Sequence, residues 1–349
     1  MLSKVLQQYD LNDEDPRIET IGSGLINHTW KIDAGGREYI LQRVNQNVFP
    51  EPGKIAANIE LVAAHLKQNH PAYFFVAPIH SRTGQSMIYL QDSGYFRLFP
   101  FVAGSYTIDV VNTPEQAFEA AQQFGRFTKL LDDLDSEQLA LTIPGFHDLA
   151  LRYHQFLRST REGNPGRIRD AAMAINKLLD HAGIVHEFEK IKSDPAFRLR
   201  VCHHDCKISN VLFDQSGKAI CVIDLDTVMP GYYFSDLGDM MRTYLSPASE
   251  EETDISKIAI RDDFYKAIVD GYYGEMKDLL SAEEKAHLFY SGKFIVYMQA
   301  LRFLADHLMN DPYYGARYEG QNYTRAINQI TLLERLLEKE KDLAGYIKM

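Results

Sequence analysis

Apolar residues fall at two different periods along this chain, and the change of period divides it. Leu2, Val5, Leu6 and Tyr9 repeat at helical spacing, in a short helix that Pro16 cannot extend. Ile18 to Ile21, Thr29 to Ile32 and Glu38 to Val44 then read as strands, separated by Gly22-Ser23-Gly24 and by a turn at Ala34-Gly35-Gly36. Ile55, Ile59, Val62, Ala63 and Leu66 give the next segment one apolar helical face. Strand-like runs return at Phe74 to Ile79, Ser86 to Leu90 and Tyr95 to Val102. From about Ala103 the helical period takes over. Thr113-Pro114-Glu115-Gln116 combines a threonine cap, a proline in the first turn and a glutamine that completes a capping box. Further helical patterns cover Ala171 to Ile191, and Ile327, Ile330, Leu333 and Leu337 near the end. This change of period predicts two domains, 1–102 rich in strands and 103–349 mainly helical.

Length fits this division, because 349 residues suffice for two cores. A formal charge of -11 argues against nucleic acid as a partner and suits an anionic membrane poorly. No apolar run approaches the roughly 20 residues that span a bilayer, and the first ten residues lack a secretory core. The three cysteines, 202, 206 and 221, are no disulfide framework, so a reducing cytoplasm is the simplest expectation. The last helix serves either internal packing or a dimer surface, so monomer and homodimer both stay open.

The exception to the helical second part is Val201 to Gly231, which reads as a loop followed by a hairpin turning at Asp214 to Gly217. It contains H-x-D-x-K-x-x-N as His203, Asp205, Lys207 and Asn210, and the hairpin's second strand delivers Asp224. A base, a cation and two oxygen donors for a hard cation are what phosphoryl transfer needs, since that chemistry rests on positioning and charge neutralisation. Asp205 would accept the proton of an acceptor hydroxyl, Lys207 would lie along the transferring group, and Asn210 and Asp224 would hold magnesium. Cys202, His203, His204, Asp205 and Cys206 also have metal-ligand chemistry. Neighbours in extended backbone point opposite ways, however, and no second Cys/His cluster completes a tetrahedron.

The stretch resembles the catalytic loop and metal segment of the aminoglycoside phosphotransferase and choline kinase family, which is kinase-like in fold. Three strings are similar to the N-acetylhexosamine 1-kinases: I-D-L-D-T-V-M-P-G from Ile223, I-L-Q-R-V-N-x-x-V-F from Ile40, and A-L-R-F-L-A-D-H-L-M-N-D-P-Y-Y from Ala300. The resemblance implies an α+β, protein-kinase-like protein with a nucleotide lobe and a substrate lobe, using ATP and Mg2+. It implies transfer of the γ-phosphoryl group to the anomeric hydroxyl of an N-acetylhexosamine or related hexose. Thr227, Arg302 and Tyr313 would then line the sugar pocket beside Asp205, and Asp236 would brace the catalytic loop.

On the nucleotide side, Gly22, Ser23 and Gly24 alone read as a hairpin turn; their place ahead of the later motifs raises the phosphate-binding reading. The third strand offers Gln42 and Arg43 where a kinase places a lysine. Arg43 is the candidate for phosphate binding, with a solvated edge arginine as the alternative, and Glu60 can pair with that cation or lie free on the surface. Asp226 is open between a second metal ligand, a substrate contact and a loop brace. Three functions compete: a small-molecule kinase (of a sugar, or of an aminoglycoside, choline or homoserine type of acceptor), a zinc-dependent hydrolase, and a nucleotide-binding module without catalysis. The retained base, asparagine and metal aspartate favour the first.

Overall fold

The computed structural model describes residues 2–11, 16–21 and 26–346. The chain begins with helix α1 (Leu2–Gln7), strands β1 (Arg17–Thr20), β2 (His28–Ala34) and β3 (Arg37–Arg43), helix α2 (Pro52–Asn69), and strands β4 (Ile88–Leu90) and β5 (Gly94–Pro100). The strands form one antiparallel sheet in the order β1-β2-β3-β5-β4. Alternation gives it two faces. Ile32, Leu41, Phe96 and Leu98 face Val5, Leu6 and Tyr9 of the N-terminal helix and make a core with them. Thr29, Gln42 and Arg97 lie in register on the other face. The run expected as a strand at 74–79 contributes a single bridge, Ile79 to Leu98, since Pro78 has no N–H to give a ladder.

Helices then follow: α3 (Pro114–Leu130), α4 (Leu149–Glu162), α5 (Pro165–Asp170), α6 (Ala172–Asp180) and α7 (Gly183–Ser193). The predicted capping box at the start of α3 is present, with Thr113 and Gln116 exchanging backbone and side-chain bonds. The pattern from Ala171 to Ile191 is two helices, broken at His181 and Ala182. Strand β6 (Arg200–Cys202) leads into the loop that carries the motif, and β7 (Val211–Phe213) pairs with β8 (Ala219–Val222). The turn between them is held by Asp214, whose Oδ1 accepts from the N–H of Ser216 and Lys218. After β9 (Met229–Gly231) come α8 (Tyr233–Tyr244), α9 (Asp262–Met276), α10 (Ala282–Ala286), α11 (Leu288–Leu308) and α12 (Gln321–Glu338).

Two compact units divide the chain. One comprises Met1–Thr107, Asp133–Pro144 and Leu212–Pro230; the other comprises Ile108–Asp132, Gly145–Val211 and Gly231–Met349. The first holds the five-stranded sheet and the β7–β8 hairpin. The second is built on α11, which is apolar on nearly every side and therefore buried among α4, α8 and α12. Helices α3 and α9 cross closely in the second unit because each offers a glycine: a Cβ on Gly125 would stand 2.9 Å from the Tyr272 carbonyl, and one on Gly271 would stand 2.5 Å from that of Phe118.

Candidate active site

In the helical unit, α8 shapes the motif loop. The two carboxylate oxygens of Asp236 accept the backbone N–H of His203 at 2.9 Å and of His204 at 2.8 Å. This pair of hydrogen bonds holds His204 in a left-handed conformation (φ 65°) that costs a non-glycine residue energy. One turn on, Asp239 accepts from the N–H of Cys206 at 2.7 Å, and the Tyr244 hydroxyl donates to the Cys206 carbonyl at 2.6 Å. Arg242 balances Asp239 and reaches Glu250. The His203 ring is fully buried, edge-on to Phe124 and Phe127.

The loop so fixed brings Asp205, Lys207 and Asn210 together. Lys207 Nζ lies 2.9 Å from Asp205 Oδ1, and Asn210 Nδ2 donates to Asp205 Oδ2 at 3.0 Å and to the Asp205 carbonyl at 2.9 Å. Burial alone would raise the Asp205 carboxyl, but the charge and hydrogen bond of Lys207, helped by His203 and Arg242, hold it below the usual carboxylate range. Asp205 in turn raises Lys207. Asp239 moves the other way, pushed up by burial against the pull of Arg242 and with the Asp205 charge nearby. Asn210 has its amide nitrogen committed to Asp205, so its oxygen is the atom left to meet a cation. That fits the expected ligand role, since magnesium prefers oxygen donors.

The other expected metal residue, Asp224, belongs to the sheet unit. It has a left-handed backbone (φ 60°) and opens a 3-10 turn, Leu225–Thr227. Within that turn Asp226 is buried. It forms an ion pair with Arg97 of β5 and accepts from Asn27 Nδ2 at 2.7 Å. Arg97 Nε donates to Gln42 Oε1 at 3.0 Å, and Gln42 Nε2 donates to Thr29 at 3.4 Å. Asn58 of α2 donates to the carbonyls of Val228 and Ala140 at 2.8 Å each, pinning the far end of the turn. Arg43, the candidate phosphate cation, falls on the opposite face of the sheet, alternating with Gln42 and sharing its face with Leu41. The Glu60 carboxylate contacts His80, with Oε1 2.8 Å from Nε2, and not Arg43. Thr227 is buried in the same turn as Asp226. Gly22, Ser23 and Gly24 lie outside the described residues.

Arg302 and Tyr313 meet in the helical unit. The Arg302 guanidinium sits 5.2 Å from the Phe146 ring, 5.7 Å from Tyr313 and 5.4 Å from Tyr314, and donates to Gln299 at 3.1 Å. Asp306 fixes this corner by accepting the backbone N–H of Tyr313 and Tyr314 at 2.8 and 2.9 Å. Phe146 stacks on His147 (centroids 4.5 Å apart), and His147 meets His204 edge-on at 5.0 Å, so aromatic rings connect Arg302 to the motif loop. Burial, with His204, Arg302, Arg242 and Arg152 nearby, pushes His147 well below its ordinary value, which keeps it neutral. Arg152 is itself pushed down to about 10 by burial and by Arg302. Neither Arg152 nor Arg302 has a carboxylate in ion-pair contact among the described residues; their hydrogen bonds go to Phe146 O, Gln155 and Gln299.

The model of the phosphotransferase enzyme family matches residues 17–275. The chain belongs to this family. Among solved structures, the phosphotransferase is similar to a microcompartment-associated aminopropanol kinase (TM-score 0.65, 19% identity, covering 97% of each chain). It is also similar to a spectinomycin phosphotransferase in complex with ADP and spectinomycin (TM-score 0.60, 14% identity, 97% of this chain and 98% of that one). A third is the Plasmodium vivax ethanolamine kinase (TM-score 0.62, 13% identity, 97% of this chain and 88% of that one). The shared fold is protein-kinase-like, α+β, with a sheet-rich N-terminal part and a helical C-terminal part.

All three cysteines are free and buried, and burial raises each thiol. Among the described residues, metal-capable side chains converge at His65, His70 and Asp133, where His65 Nε2 lies 3.0 Å from an exposed Asp133. Sequence reasoning missed Arg97, Asn27 and Arg152. Arg97 leaves one trace, a charged residue inside the apolar strand G-Y-F-R-L-F-P; the others leave none, because their partners are distant in sequence.

Proposed function

We propose that this phosphotransferase moves the γ-phosphoryl group of ATP to the anomeric 1-hydroxyl of an N-acetylhexosamine or related hexose. The supporting observation is the pairing of an ionised Asp205, anchored by Lys207 and Asn210, with an arginine-and-aromatic corner connected to the same loop through His147 and His204. Asp205 orients the acceptor hydroxyl and takes its proton; an anomeric hydroxyl is more acidic than an ordinary alcohol, so a carboxylate held low suffices. Lys207 offsets charge on the transferring group. Asn210 and Asp224 would hold Mg2+, which with ATP supplies the activated phosphoryl group and neutralises its oxygens. Gly22, Ser23 and Gly24 would cover the phosphates, in a nucleotide lobe of residues 1–102, with residues 103–349 as the catalytic lobe.

The acceptor corner supports a neutral sugar over an amine. Aminopropanol and ethanolamine carry an ammonium group in their common form. Here an ammonium would meet Arg302 and Arg152, two guanidinium groups that make no ion pair among the described residues, while the nearby Asp306 is committed to backbone N–H groups. Guanidinium donors suit an acetamide carbonyl or ring oxygen, and Tyr313, which is exposed, can lie against the apolar face of a sugar. Thr227 would donate to a sugar hydroxyl.

The test is ADP release with ATP and Mg2+ over free sugars, choline, ethanolamine and an aminoglycoside, with the product examined for phosphate at C1. Turnover on N-acetylhexosamines, lost by about 100-fold or more in Asp205→Asn, is the expected result. Turnover confined to an amine would keep the kinase and discard the sugar. Nucleotide binding without turnover on any acceptor would discard the catalysis.

A further inference from the structure

The phosphotransferase lacks a lysine on its third strand, and the structure suggests what does that residue's work. In a kinase the third-strand cation is anchored by a carboxylate and helps set the phosphates against the metal segment. Here β3 offers Gln42 on the face that meets the turn after Asp224, and Gln42 is the register partner of Arg97 on the next strand. Arg97 is 1% exposed and paired with Asp226, so in this arrangement it cannot reach a phosphate. What it reaches is the turn that carries Asp224. Asp226 is tied to Arg97 and Asn27, Asn27 accepts the Asn45 N–H at 3.0 Å, and Asn58 holds Val228. The residues just after Asp224 are therefore fixed from three directions. These contacts help to hold the left-handed backbone of Asp224 (φ 60°), a conformation that costs a non-glycine residue energy.

We propose that Arg97 replaces the third-strand cation as a positioning residue: its ion pair with Asp226 holds the 3-10 turn that sets Asp224 for magnesium. This rests on the kinase reading and on Asp224 as a metal ligand. It assigns Asp226 to the brace and leaves Asp224 as the carboxylate of this turn that meets the ion. Gln42 completes the brace by orienting the Arg97 fork, and Arg43, on the far face, has no part in it.

A purely structural ion pair predicts something different, and the neutral double variant separates the two. Arg97→Gln alone strands a buried carboxylate and is expected to fold poorly. Arg97→Gln/Asp226→Asn removes both charges, so its melting temperature is expected to lie near that of the unchanged protein. The readout is calorimetric titration of the full-length protein with ADP at a series of Mg2+ concentrations, which needs no acceptor. If Arg97 positions Asp224, the double variant stays folded but needs about 10- to 100-fold more Mg2+ for tight ADP binding, the usual loss when an outer-shell partner of a metal ligand is removed. Arg97→Lys, which keeps the charge and loses the fork, is expected to show a smaller shift in the same direction and carries the test if the double variant does not fold. Unchanged Mg2+ dependence in the folded variants overturns the proposal. If the unaltered protein binds no Mg2+-ADP, the kinase reading fails first, and the role of Arg97 falls with it.

Discussion

Asp205 holds two contacts that serve different ends. Asn210 fixes one oxygen in place, while Lys207 supplies a charge to the other. The consequence can be read from pH. Because burial is overcome by Lys207, the carboxyl stays ionised below the range in which an ordinary aspartate, with a pKa of about 3.9, would protonate. Its depressed value also means that this pair stabilises the fold above that range and loses the contribution as pH falls through the lowered pKa. Lys207→Met removes the group that lowers Asp205 and leaves burial to raise it. The acid limb of the pH–rate profile should therefore move to higher pH, although His203 and Arg242 still act on the carboxyl. An unmoved limb with a reduced rate would mean that Lys207 acts on the phosphoryl group alone. The motif's residue types could be read from the sequence, because their spacing is local. The direction of the Asp205 shift could not, since it depends on how much water the fold removes.

At the scale of elements, α8 organises the motif loop more than the loop organises itself. Asp236 satisfies two backbone N–H groups 32 and 33 residues away, and Asp239 satisfies a third. Asp236→Ala would leave the His203 and His204 N–H groups buried without acceptors, at a cost of about 3 kcal/mol or more. Chemical denaturation should show that loss, and any folded fraction should have a disordered loop and little activity. A variant of unchanged stability would mean that water replaces the carboxylate. Gly238, on the same helix, lets α8 approach α11: a Cβ there would stand 2.2 Å from the Ser291 carbonyl. The expectation that Asp236 braces the loop came from resemblance, and the hydrogen bonds give its physical basis. The strand expected at 74–79 failed because apolar residues signal burial as readily as pairing, and Pro78 cannot join a ladder.

For the whole molecule, the kinase reading predicts that Mg2+ and nucleotide stabilise the protein together. At a hundredfold excess over the dissociation constant, binding to the folded state adds about 2.7 kcal/mol. A thermal scan should then rise by on the order of 5 °C with Mg2+-ADP and by less with either alone. A rise with ADP that ignores Mg2+ would argue against Asn210 and Asp224 as ligands. By itself the sequence determined most of the order of elements, the change from strand to helix near residue 103, and the placing of Asp205, Lys207 and Asn210 on one loop with Asp224 beyond the hairpin that follows. Those features are local: a period, a cap or a spacing within one turn suffices to write them. Only the tertiary structure decided that Arg97 pairs with Asp226, that Gln42 and not Arg43 shares their face, that Glu60 goes to His80, and that Arg152 joins Arg302. Each of these depends on which residues from distant parts of the chain the fold brings together, and the arginine contacts depend also on burial. Burial, not spacing, makes an arginine seek a particular carboxylate.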